Sequence, residues 1–290
     1  MSDSLLVALA EPWLLASVTL LLGLVVGSFL NVVIYRLPVM LERAWRRDCA
    51  ALDGRDTAPE ERFDLVLPRS RCPHCGHQVT ARDNIPVLSY LLLRGRCRAC
   101  GAPISLRYPA VELLTAALTV ITALHFGAGW QGTFAVLLTW TLIALSFIDF
   151  DTQLLPDSIT LPVLWLGLLL SLFGVYADTH ASIIGAAAGY LSLWSIYHLF
   201  RLLTGKEGMG YGDFKLFALF GAWLGWHSLP LIILLSSAVG AVIGLSLILF
   251  RGRDRSIPIP FGPYLAIAGW IALLWGEQLT AWYLRTTLPA

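Results

Sequence analysis

Phe134-Ala-Val-Leu-Leu-Thr-Trp-Thr-Leu-Ile-Ala-Leu-Ser-Phe-Ile-Asp149 runs through fifteen residues without a charge and then stops on a carboxylate. Extended to 132–150, it has the length and apolar character of a membrane-spanning helix. An acid at the end of such a span needs a partner or water. Working outward, comparable runs fall at roughly 12–36, 108–126, 157–176, 181–203, 214–228, 229–250 and 261–284, which gives about eight transmembrane helices. The sixth is short and leads almost directly into the seventh, so seven spans with a re-entrant segment is the rival count. Composition agrees with a lipid environment. Of 290 residues, 57% are hydrophobic and 13% charged, where soluble domains run at ~45–50% and ~25%. With a mean hydropathy of +0.71, a core cannot hide this much apolar surface. The expected fold class is an all-α polytopic membrane protein, and a soluble globular domain is excluded.

The net charge of +1 hides a segregation, because 12 of the 20 Lys and Arg residues lie within 37–108. Basic residues in short loops stay on the cytoplasmic side. Asp3 and Glu11 precede the first span with no Lys or Arg, and Arg36 ends it, which places the N-terminus outside. Alternate crossings then put Arg201, Lys206, Lys215, Arg251, Arg253 and Arg255 inside, and only Arg285 breaks the pattern. The first span is too long for the apolar region of a cleaved signal peptide. Three parts are expected: a first transmembrane helix over 1–36, a cytoplasmic insertion over 37–108 and a transmembrane core over 109–290. Within the first helix, Gly23, Gly27 and Ser28 form a face for close helix packing, and Asn31 needs a partner or a polar cavity.

The insertion carries Cys72-Pro-His-Cys75-Gly76 and Cys97-Arg-Ala-Cys100-Gly101, separated by 21 residues. Soft thiolates in paired CxxC units suit tetrahedral zinc. Four cysteines close the coordination shell, so the metal is structural and activates no water. His74 and His77 are read as outside the ligand set, and Cys49 as an ordinary thiol. Asn84-Ile-Pro-Val-Leu-Ser-Tyr90, between the pairs, is apolar enough to pack on helix ends or on the membrane surface.

Glu112, Asp149, Asp151, Asp157 and Asp213 lie at or near the ends of apolar spans. Asp149 and Asp213 share one membrane face. Asp213 sits in Gly208-Met-Gly-Tyr-Gly-Asp213, where glycine at 208, 210 and 212 leaves room for another backbone, such as an extended substrate. Asp213 could instead only cap a helix beginning at Phe214. If the two carboxylates approach closely, repulsion leaves one proton shared between them, which supplies an acid and a base together. One can then deprotonate a water that attacks a peptide carbonyl while the other protonates its oxygen. Asp151 and Asp157 compete on proximity, and spacing does not eliminate them.

These motifs resemble the type IV prepilin peptidases, membrane aspartic proteases of the Gly-x-Gly-Asp type. The likeness covers Gly27-Ser-Phe-Leu-Asn-Val-Val-Ile-Tyr-Arg-Leu-Pro38, both CxxC pairs, Asn84-Ile-Pro86, Ser105-Leu-Arg-Tyr-Pro-Ala-Val-Glu112, Asp149 with Leu155-Pro-Asp157, and Gly210-Tyr-Gly-Asp213 with Lys215. The resemblance implies that Asp149 and Asp213 are the catalytic pair and that Asp151 is not. It further implies cleavage of the basic leader of type IV prepilins, or of type II secretion pseudopilins, on the cytoplasmic face of a bacterial inner membrane. Methylation of the new N-terminus by S-adenosylmethionine would follow. No residue is assigned to the methyl donor, nucleic acid is not an expected partner, and the oligomeric state is not readable from sequence. A membrane aspartic protease without methyltransferase activity and an ion-coupled transporter are the competing readings.

Overall fold

The computed structural model describes residues 11–54, 61–206, 208–251 and 260–287, so Asp3, Arg253 and Arg255 lie outside it. Among the described residues, the regular structure is helical, apart from the isolated bridges Arg71–Gln78 and Arg96–Pro103. The chain divides into two compact units, 1–128 and 129–290.

In the first unit, α1 (Pro12–Leu52) packs against α3 (Arg107–Phe126), and the short α2 (Leu88–Leu92) lies in the insertion between them. The small-residue face performs the contact. A Cβ built on Gly23 would lie 2.6 Å from Ala116 Cα, and one on Gly27 would lie 2.7 Å from Glu112 Cα. Only glycine permits backbones this close. Asn31 finds its partners at the same seam, donating from Nδ2 to Gly27 O at 3.3 Å and Tyr108 O at 3.1 Å.

α1 does not stop at Arg36, where the first span was expected to end, but continues through Pro38 for a total of 41 residues. The continuation Leu41-Glu-Arg-Ala44 and onward is rich in strong helix formers, and Glu42 pairs with Arg46 one turn on. Several of the basic residues therefore ride on a helix. Two anchors fix the insertion. The buried Arg36 guanidinium donates to Asp64 O at 2.8 Å and Pro68 O at 2.6 Å. Val87 N–H donates to Glu112 Oε2 at 2.7 Å, so the segment between the CxxC pairs packs on a helix end.

The second unit holds α4 (Trp130–Thr152), α5 (Asp157–Ser171), α6 (Thr179–Thr204), α7 (Tyr211–Leu224), α8 (Leu229–Arg251) and α9 (Gly262–Thr287). Each of the eight expected spans forms a helix. Among the described residues, five helical stretches, α1, α3, α4, α6 and Trp226–Ile243, are long and apolar enough to cross a membrane. α7 differs in kind. Its 14 residues extend about 21 Å, short of the ~30 Å hydrocarbon core. Phe214, Leu216, Phe217, Leu219, Phe220 and Trp223 are all buried, as expected for a helix apolar all round and enclosed by α5, α6 and α9. A Cβ on Gly185 of α6 would lie 2.3 Å from Gly221 O of α7. Gly185→Val should therefore lower the unfolding temperature of the detergent-solubilised protein by the equivalent of ~1–3 kcal/mol. An unchanged melting curve would contradict this packing.

Candidate active site and metal centre

Asp149 lies in the last turn of α4 and Asp213 in the first turn of α7, and they are only 5% and 6% exposed. The two lie in one neighbourhood, because Leu155 Cδ1 is 3.2 Å from a Cβ built on Gly212, next to Asp213, and 3.3 Å from one on Gly262, which contacts Asp149. Each is held by one main-chain amide. Gly262 N–H, at the start of α9, donates to Asp149 Oδ2 at 3.0 Å, and Gly210 N–H donates to Asp213 Oδ2 at 3.2 Å. Among the described residues the second oxygen of each has no protein hydrogen-bond partner, so both carboxyl groups keep an atom for chemistry.

The helix carrying Asp213 begins at Tyr211, not Phe214, and its N-cap is Gly210. Asp213 is thus the third helical residue, reaching back to the N-cap amide as half of a capping box. Capping and pairing with Asp149 are compatible, because the cap uses only Oδ2. The competing acids stand elsewhere. Asp151 is exposed. Asp157 is engaged by Lys215, whose Nζ lies 2.7 Å from both carboxylate oxygens. Buried Glu112 belongs to the other unit, where it receives Val87 N–H.

The three glycines have different surroundings. A Cβ on Gly210 would have no atom nearer than 3.9 Å, whereas one on Gly208 would meet the Phe200 ring at 3.1 Å. At Gly212 it would lie 2.7 Å from Leu155 Cβ, so a side chain of the protein already fills that space. Gly262 is a site residue that the sequence reading missed. Its signal was the proline-flanked Pro260-Phe-Gly-Pro263 at the start of an apolar run.

In the insertion, the two CxxC turns repeat one geometry. Gly76 N donates to Cys72 O and Gly101 N to Cys97 O, both at 2.9 Å, with φ of +70° and +72° at the two glycines. Each turn thus presents its two sulfurs on one side. Cys72 Sγ lies 3.9 Å from Cys100 Sγ, and Cys75 Sγ lies 4.0 Å from Cys97 Sγ. All four ligand atoms fall within 4.8 Å of one another. A tetrahedral ion with ~2.3 Å metal–sulfur bonds requires sulfurs about 3.8 Å apart. The cluster can hold a metal ion after a small contraction. The Cys100 and Ala99 N–H groups point at Cys97 Sγ and favour its thiolate, holding this thiol down to about 6. His74, His77 and Cys49 are not part of the cluster.

Comparison with known proteins places both halves of the chain. The bacterial peptidase A24 N-terminal domain matches residues 21–126, and the type IV leader peptidase family matches residues 136–245. The prepilin leader peptidase/N-methyltransferase of Aeromonas salmonicida is 59% identical over 290 residues, covering 98% of this chain and 100% of the relative. The protein of the same name from Pseudomonas aeruginosa is 55% identical, covering 95% of this chain and 96% of its own length. That of Legionella pneumophila is 49% identical, at 94% and 96%. No solved structure matches. With such identity sustained from end to end, the chain belongs to the type IV leader peptidase family.

Proposed function

We propose that this protein removes the leader peptide of type IV prepilins or of type II secretion pseudopilins and then methylates the exposed N-terminus. The observation that carries the proteolytic half is the pair of buried carboxyl groups, Asp149 and Asp213, each tethered through one oxygen. One deprotonates a water as it attacks the scissile carbonyl, and the other, protonated, polarises that carbonyl and later protonates the leaving amine. Between turnovers the pair shares one proton. Gly208, Gly210 and Gly212 are read as the substrate-facing edge, with Gly210 offering the open space. The relatives' shared name covers both activities, which sets aside the protease-only and transporter readings.

The methyl donor this reading requires is S-adenosylmethionine, and no set of side chains among the described residues is marked out as its seat. The metal is zinc, bound by Cys72, Cys75, Cys97 and Cys100 in a structural role, folding an insertion with little apolar core. The protein sits in the bacterial inner membrane with its N-terminus periplasmic and its aspartates and cysteine insertion cytoplasmic.

Mass spectrometry of a co-expressed prepilin tests both activities. The expected product has lost its leader and gained one methyl group. Full-length prepilin, or a cleaved but unmethylated product, would refute the corresponding half. Metal analysis should find about one zinc per chain, unchanged by Cys49→Ser and lost with Cys72→Ser. An active, zinc-free protein would refute the structural role of the metal.

A further inference from the structure

Leu155 stands on the segment between α4 and α5, half-buried, with its side chain against the main chain beside both aspartates. A Cβ on Gly212, the residue before Asp213, would lie 2.7 Å from Leu155 Cβ and 3.2 Å from its Cδ1. A Cβ on Gly262, whose N–H holds Asp149, would lie 3.3 Å from the same Cδ1. One branched side chain therefore fills the space that Gly212 leaves and borders that at Gly262, where the Asp149 carboxyl group stands nearer, with Oδ2 2.6 Å from such a Cβ, so that Leu155 is wedged between the start of α7 and the start of α9. The segment itself is fixed. Gln153 takes a left-handed conformation with φ 55°, Pro156 has φ −61°, and Asp157 closes the bidentate ion pair with Lys215, two residues after Asp213.

We infer that Leu155 is a positioning residue that sets the separation of the Asp149 and Asp213 carboxyl groups, an inference that rests on reading those two as the proteolytic pair. Its methyl groups exchange no proton. They act by shape, because packed interiors transmit a lost contact as a shift of the neighbours. Proton transfer and attack depend steeply on the distance between the reacting groups, so a small loosening is felt in turnover. Substrate binding, which involves a much longer stretch of prepilin, should be affected far less.

The test is steady-state cleavage of a purified prepilin by the full-length enzyme and its Leu155→Ala, Leu155→Val and Leu155→Met variants. Leu155→Ala should lower kcat by ~10–100-fold with KM within about twofold of the parent. Leu155→Met, which restores length and volume, should recover most of the loss. A parental kcat for Leu155→Ala, a change confined to KM, or a Leu155→Met variant as impaired as the alanine variant would each overturn the inference. If Leu155→Ala does not fold, Leu155→Val carries the test. It keeps the contact with Gly212 and loses the Cδ1 contact with Gly262, so kcat should fall at an unchanged melting temperature, and an unchanged kcat would overturn the inference. Failure of the parent enzyme to cleave, or cleavage by Asp149→Asn, would bring down the protease reading itself and the inference with it.

Discussion

Asp149→Asn and Asp213→Asn should each reduce prepilin cleavage by ~10³-fold or more, while the protein still inserts and melts like the parent. The asparagine amide keeps the size of the carboxyl group, and its oxygen can still accept from Gly262 N–H or Gly210 N–H. The tether survives and the shared proton is lost. Neither half of the acid–base work can then be completed, so the double variant should be little worse than either single one. Asp151→Asn should be mild, because that carboxylate is exposed. Asp157→Asn should fall between, since it breaks the ion pair with Lys215 without touching the dyad. Conversion of labelled prepilin to mature pilin, followed on gels, checks the series. Near-parental turnover in either dyad variant would refute the paired mechanism.

The parts of this protein visible in its sequence are those encoded by nearby residues. Each CxxC turn is specified within five or six positions, so the four-cysteine cluster could be read directly. The apolar runs likewise announce their helices, although α1 outruns its apolar stretch, because helix propensity continues after hydrophobicity ends. Asp149 and Asp213 were legible as candidates because acids at the ends of apolar spans are conspicuous. In the sequence only the family resemblance set them apart from Asp151, and the structural contrast with Asp151 and Asp157 lies in long-range packing. Gly262 reaches Asp149 across 113 positions, and Lys215 engages Asp157 across 58. No periodicity or spacing rule connects residues so far apart. The same holds for Leu155, which an isolated sequence presents as one more leucine before a proline.

That distinction separates two glycines that look alike in the motif. Gly210 has φ −86° and ψ 155°, which any residue can adopt, and a Cβ there meets nothing nearer than 3.9 Å. Gly210→Ala should therefore fold and melt like the parent. Gly210→Val should also fold, yet cut cleavage by ~10²-fold, because its branches would occupy the space in which an unwound substrate segment approaches Asp213. If the substrate enters from the bilayer, as the proposed function implies, its scissile bond must leave helical geometry before water can attack. The freed main-chain groups need new partners at that point. Gly212→Val should behave differently. Its Cβ would fall 2.7 Å from Leu155 Cβ, so it should lower both the melting temperature and cleavage. Crosslinking from substrate positions flanking the scissile bond separates the two cases. It should weaken in Gly210→Val while the fold is intact, and in Gly212→Val it should track the fraction of folded protein. Unchanged crosslinking and cleavage in a folded Gly210→Val would mean that Gly210 serves only the helix start and that substrate approaches the aspartates from another side.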